Sequence, residues 1–306
     1  MIFRHEYAHG VWVDLEQPTP EEIHDATREF ALSDRVEAEL LSPTPSPLVA
    51  GDPEAALLVL HFPAMETAEG DLKNQEVDLV VGKHFILTVR YEVVAPLYHL
   101  QKLLEAEELT EGRSALTTDM LLEILFAHLY ASVRDSTNHS ASRLARIEHD
   151  MFAGRERETV RTISNASREF LHLEAALANQ EEPLARFLKT LSDRGFFGRS
   201  FYERAARINA ERAQVAHHIR THRAVATELR ETNSVLLNAT QNSIMKTFTV
   251  VNVIFLPLGL ITWIFAMRTE GTPFIMSPHA FWIVLGFMAV VGLTLTFVFA
   301  KKRWLF

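Results

Sequence analysis

Apolar and polar positions follow three rhythms along this chain. Near the N-terminus the rhythm is short. Residues 11–15 (VWVDL), 55–62 (AALLVLHF), 76–81 (EVDLVV) and 84–91 (HFILTVRY) are brief runs rich in β-branched and aromatic side chains, a pattern that predicts strands. Gly82 and Lys83 between the last two predict a two-residue hairpin turn. Residues 19–30 (TPEEIHDATREF) predict a helix, with Thr19 as N-cap, Pro20 at its first position and acidic residues in its first turn. The Pro-rich stretch 42–53 predicts a loop. From Thr118 the rhythm becomes helical, with breaks at Gly154, Pro183, Gly195 and Gly198.

The third rhythm is continuous. Residues 247–267 and 281–300 are apolar runs of 21 and 20 residues without a charged side chain. About 20 residues of helix cross a hydrocarbon core of about 30 Å, and only closed secondary structure satisfies its backbone in lipid. Both runs predict transmembrane helices. The 58 residues 199–256 contain neither Gly nor Pro and lead directly into the first run; as one helix they would extend roughly 87 Å at about 1.5 Å per residue. In this stretch Phe201, Ile208, Val215, His222, Leu229 and Leu236 share one heptad register, and Ala205, Arg212, Ile219, Ala226 and Asn233 share the next. A seven-residue period predicts helix-on-helix packing, and the polar members favour a stalk helix packed on neighbouring helices or subunits over a dry zipper.

Charge orients the spans and narrows the chemistry. Lys246 precedes the first run, and Lys301, Lys302 and Arg303 follow the second with Trp304 beside them. Positive charge favours the cytoplasmic side and Trp favours the interface, which places both termini in the cytoplasm. Residues 1–15 show no signal-peptide pattern. Residues 1–245 carry 25 basic and 38 acidic side chains, a balance that argues against a nucleic-acid partner, whose binding neutralises phosphates, and suits the attraction of cations. The sequence lacks cysteine, which excludes disulfides, thiolate metal sites and cysteine nucleophiles. It also lacks a phosphate-binding glycine loop, a G-x-S-x-G elbow and an H-E-x-x-H helix, so no enzyme activity and no resident cofactor is expected. His218 and His222 are four apart on one helical face, where two imidazoles can share an ion; without an evident third ligand they are weak metal candidates.

The first span carries the main candidate surface. Asn242, Met245, Thr249, Asn252, Leu256 and Gly259 recur at steps of three and four and form one face that takes an amide into the membrane. A polar group at that depth needs a partner or water. Two readings follow: hydrogen bonding between helices of a bundle, or the wall of a pore built by several copies, since two spans cannot enclose a pore alone. Pro257 and Gly259 permit a bend. Gly286, Ala289 and Gly292 give the second span a smooth face suited to close helix contact.

These features resemble the CorA family of divalent-cation channels and transporters, with its zinc-transporting ZntB branch. The resemblance rests on residues 242–246 (NSIMK), 254–264 (IFLPLGLITWI), 301–305 (KKRWL), 11–15 (VWVDL) and 80–90 (VVGKHFILTVR), and so covers nearly the whole chain. It implies an α+β cytoplasmic domain with a long helical stalk and two C-terminal transmembrane helices, assembled as a funnel-shaped homopentamer in the bacterial inner membrane. The first span would line the pore for hydrated divalent cations. It divides the chain into an α/β domain over 1–112, a helical region and stalk over 113–245, and a membrane domain over 246–306. The membrane domain has spans at about 247–267 and 281–300, a periplasmic loop at 268–280 and a tail at 301–306. Metal-sensing carboxylates of the family make Glu231 on the stalk a further weak candidate.

One departure is plain. Where the family carries Gly-Met-Asn, or Gly-Ile-Asn in the zinc branch, this chain has Ala266, Met267 and Arg268. Asparagine offers a neutral carbonyl to a hydrated cation, whereas a ring of guanidinium groups repels it. Three explanations stay open: Arg268 turns aside to pair with Glu270, selectivity has moved to Asn252 and Asn242, or conduction has been lost. The leading expectation is transport of magnesium or zinc, with cobalt and nickel as further cargo. The alternative is a non-conducting scaffold or sensor of metal or membrane state.

Overall fold

The computed structural model describes residues 1–64, 73–111, 116–267 and 279–301. They fall into two compact units, Met1–Arg230 and Glu231–Phe306.

The first unit is built on a six-stranded sheet. Its strands are β1 (Ile2–Tyr7), β2 (Gly10–Glu16), β3 (Leu48–Gly51), β4 (Ala55–Pro63), β5 (Asn74–Gly82) and β6 (Phe85–Arg90), in the order β1-β2-β6-β5-β4-β3. Only β2 and β6 run parallel. The central strands are buried on both faces, as a continuous apolar run such as AALLVLHF requires. On one face Leu57, Val59, Val80, Leu87 and Val89 pack with Ile23 and Ala26 of α1 (Pro20–Glu29) and Val36 and Leu40 of α2 (Asp34–Leu40). Helices of the second half of the unit cover the other face.

Thr19 caps α1 as its sequence predicts: its Oγ1 accepts from the Glu22 amide at 3.2 Å, and the Glu22 carboxylate accepts from the Thr19 amide at 2.9 Å. Such a reciprocal box satisfies two amides that the first turn leaves unpaired. The short strands were less legible. Strand β3 forms inside the Pro-rich stretch expected to be a loop, and β1 and α2 add to the predicted elements. The hairpin turn lies at Lys83 and His84, one residue later than expected, because Val81 pairs with Ile86. A Cβ on Gly10 would lie 2.2 Å from the His84 carbonyl oxygen, so the β1–β2 hairpin can lie against that turn only with glycine there.

The parallel register sets Asp14 beside Thr88 and Glu16 beside Arg90. Arg90 is 1% exposed, its Nε donating to Asp14 at 3.0 Å and its other nitrogens lying 2.9 Å from Asp14 and 2.7 Å from Glu16. Thr88 Oγ1 and Gln101 Nε2 also donate to Asp14. Burial pushes the Asp14 carboxyl up, while Arg90 and the hydrogen bonds pull it down.

Helices α3 (Ala95–Glu111), α4 (Thr118–Asp150), α5 (Glu156–Asn179) and α6 (Glu181–Arg194) follow the sheet. A π-type turn at Met151–Arg155 joins α4 to α5, with Gly154 at φ 84°, and Gly195 at φ 69° ends α6. Pro183 lies in the first turn of α6, where a missing amide costs no helical bond, and it does not break the helix. Helix α7 (Ser200–Ala266) then runs without interruption through Pro257. Its heptad stripe is the buried face within the first unit, including Phe201, Ile208, Val215, Ile219 and Ala226. Arg204 meets Asp119 and Glu123 of α4 at 2.8 Å each, and Arg134 of α4 meets Glu211 at 3.0 Å. The polar intruders have partners inside the chain: Arg212 donates to the Leu177 carbonyl at 3.2 Å and lies 3.1 Å from Glu181, and His222 stacks on Phe170 at 6.0 Å.

Candidate functional site in the membrane unit

The second unit pairs the last part of α7 with α8 (Ala280–Lys301). Both helices pass the length and apolarity required to cross a membrane. Phe255, Trp263, Phe281, Trp282, Leu293 and Phe297 are between 68% and 71% exposed. So many large apolar side chains turned outward along two adjacent helices need lipid or other helices around them.

Contact between the helices is made at small and hydroxyl side chains. A Cβ on Gly292 of α8 would lie in ordinary contact with Leu258 Cδ1 at 3.7 Å. Thr262 Oγ1 donates to the Leu258 carbonyl at 2.9 Å and lies 3.7 Å from Met288 Sδ. Of the smooth face expected on the second span, Gly292 touches α7, whereas Gly286 has nothing near its Cβ position.

The face of α7 that meets α8 thus runs through Leu258 and Thr262. At about 100° per residue Asn242, Thr249 and Leu256 lie roughly opposite that contact, while Met245 and Asn252 lie about 100–120° around the helix from it; all five are exposed, and Gly259 is half-buried. Thr249 Oγ1 donates to the Met245 carbonyl at 2.8 Å. Its proton is therefore engaged by the helix, and its lone pairs remain for an outside donor such as a cation's water shell. The Asn252 amide makes no hydrogen bond among the described residues. Ala266 ends α7, and the Met267 amide donates to the Trp263 carbonyl at 3.2 Å. Arg268 and Glu270 lie outside the described residues.

The weak metal candidates are only partly brought together. The His218 and His222 rings are 4.5 Å apart edge to face, and His218 Nε2 lies 2.9 Å from Asn138 Oδ1. Burial and the neighbouring His218 lower the His222 pKa. Among the described residues no three His, Asp or Glu side chains gather as a metal site. Glu231 is exposed and lies in the other unit.

One polar cluster escaped the sequence reading. His61, Glu76, Asp78 and Tyr91 meet on the sheet face that packs against α1 and α2. The usable signal was period two: Glu76 and Asp78 share their face with core Val80.

An α+β unit whose last helix continues into the first of two C-terminal helices, both long and apolar enough to cross a membrane, gives the architecture of a two-span membrane protein. The chain belongs to the CorA-like Mg2+ transporter protein family, whose profile matches residues 7–303. It is 25% identical to the Bacillus subtilis (strain 168) protein YfjQ over 260 residues, 80% of this chain and 74% of that one. The cobalt/magnesium transport protein CorA of Thermotoga maritima is 29% identical over 92 residues, 30% of this chain and 26% of that protein. The complete structure of the CorA magnesium transporter from Methanocaldococcus jannaschii matches with a TM-score of 0.79 at 20% identity, over 99% of this chain and 93% of that one. The fold expected from the sequence, an α+β domain, a long helix and two C-terminal apolar helices, is the fold observed.

Proposed function

We propose that several copies of this chain, five by the family resemblance, surround an axial path for divalent cations lined by the α7 face from Asn242 to Gly259. The observation that supports this reading is the exposure of that face in the single chain: it bears the span's one side-chain amide, Asn252, and the Thr249 hydroxyl, away from the α8 contact at Leu258 and Thr262. An exposed amide at membrane depth is costly in lipid and favourable against water or a second copy. Neutral oxygens suit a cation that keeps its water shell, as magnesium does, because it dehydrates reluctantly. Magnesium is therefore the first candidate and zinc the second. Both termini face the cytoplasm, since the basic residues flank the spans on that side.

With Arg268 in place of the family's asparagine, discrimination falls to the rings of Asn252 and Asn242 on this reading. Replacing Asn252 by Leu is the direct test. It should lower magnesium uptake into proteoliposomes at least about tenfold, the effect of roughly 1.4 kcal/mol on a barrier, without altering oligomer size by native mass spectrometry. Unchanged uptake would remove Asn252 from the path. If the wild-type chain itself carries no cation, the reading as a non-conducting scaffold or sensor takes its place.

A further inference from the structure

We propose that the edge strand β1 is a self-association surface: it pairs antiparallel with β1 of a second copy about a two-fold axis at His5, so that Arg4 of each chain meets Glu6 of the other. This inference stands independently of cation transport.

Strand β1 is the last in the sheet, with β2 on one side and, among the described residues, no strand on the other. The register with β2 decides which of its groups turn outward. The Met1 ammonium donates to the Glu16 carbonyl at 2.6 Å and the Glu16 amide to the Met1 carbonyl at 2.9 Å, so these two residues are a hydrogen-bonded pair. Such pairs recur at every second residue of an antiparallel ladder. The main-chain groups of Phe3, His5 and Tyr7 therefore face β2, and those of Ile2, Arg4 and Glu6 face the outer edge. A row of outward amides and carbonyls is a template for another strand. The side chains along it are open to solvent, Arg4 at 46% and Glu6 at 55% exposure.

Charge selects both the occupant and the register. A single sign of charge along an edge repels a second copy of that edge, but β1 carries both signs, placed symmetrically about His5 in the sequence IFRHEY. Antiparallel pairing centred on His5 sets Arg4 opposite Glu6 of the second copy, Glu6 opposite its Arg4, and Phe3 opposite its Tyr7. Because Arg4 and Glu6 are the outward residues, each of these two pairs exchanges two backbone hydrogen bonds. The next register, centred on Arg4, puts the two arginines opposite each other, and parallel in-register pairing does the same with both charges. Like charges directly opposite destabilise a pair of strands. Arg4 already lies 2.8 Å from Glu29 of α1 and 3.9 Å from Glu6 of its own strand; a guanidinium has five N–H donors, enough to serve a further carboxylate. A two-fold contact cannot relate neighbours in a ring of five, so in that arrangement it joins chains of separate assemblies. One such contact is weak, since exposed ion pairs contribute little, and an assembly that offers several edges gains by multivalency.

The test is sedimentation velocity of the full chain in detergent as its concentration is raised. The wild type should form species of twice the mass of the basic assembly and above, and added salt should reduce them. Arg4→Glu alone and Glu6→Arg alone set like charges opposite each other and should each weaken this association at least about tenfold. Mixing the two variants should restore it, as should the double exchange of Arg4→Glu with Glu6→Arg, which carries the same glutamate beside Glu29 as the single variant. Single variants that associate as the wild type does, no recovery on mixing or in the double exchange, or a wild type that keeps the basic mass at every concentration would overturn the pairing. Arg4→Pro removes an outward amide and leaves the β2 ladder intact. It should also abolish the doubled species, and it decides the matter where a charge variant does not keep the basic mass.

Discussion

Buried charge in this chain is arranged in two ways, and they answer substitution differently. Arg90 and Asp14 pair at 2.9 Å with almost no exposure, and each has further hydrogen-bond or charge partners. Removing one member of such a pair leaves the other charge unpaired in the interior. Arg90→Ala should therefore destabilise the first unit by about 3–5 kcal/mol, read by chemical denaturation of the full chain in detergent. Asp78 is the opposite case, a carboxyl that burial and the neighbouring Glu76 push well above the usual carboxylate range. It ionises at lower pH in the unfolded chain than in the native one, so above the ordinary carboxylate value the native state binds the extra proton and stability falls as pH rises towards the folded-state value. Asp78→Asn, neutral in both states, should raise the melting temperature at pH 8 more than at pH 5. A gain independent of pH would show that Asp78 is ionised in the fold.

At the scale of the element, the strongest sequence signals were those in which local chemistry and tertiary packing agree. Thr19, Pro20 and Glu22 fix the start of α1 by bonds among neighbours, and the heptad of α7 lies on α4 and α5 because those apolar residues have no other place to go. Strand β3 was missed because Leu48–Gly51 is four residues long amid prolines and gains its pairing only from β4, a contact no local pattern reveals. The turn at Lys83 and His84 shifted by one for the same reason, since the register of Val81 with Ile86 sets it. In the candidate site, the polar face of α7 was legible from its period, but which side of the helix meets α8 is seen only from the contact at Leu258 and Thr262. The cluster of His61, Glu76, Asp78 and Tyr91 was legible only in part: period two places Glu76 and Asp78 on the core face, but His61 and Tyr91 come from β4 and the end of β6. At the α7–α8 contact, Gly292→Leu would force bulk against Leu258 and should lower the thermal stability of the membrane unit by about 1–3 kcal/mol in detergent, while Gly286→Leu should be nearly neutral.

For the molecule as a whole, family membership and fold define a membrane protein of the CorA-like Mg2+ transporter family, and the conduction reading rests on an exposed polar face that one chain leaves uncovered. Arg268 makes this more than a formality, because a charge that repels cations stands in the sequence where the family offers a neutral carbonyl. The decisive measurement is magnesium influx into proteoliposomes loaded with a magnesium-sensitive dye, holding the purified chain, under an inside-negative potential. Influx well above that of protein-free vesicles, increasing with the imposed potential, is the expected result. No influx of magnesium, zinc, cobalt or nickel in vesicles holding both orientations of the protein would contradict transport.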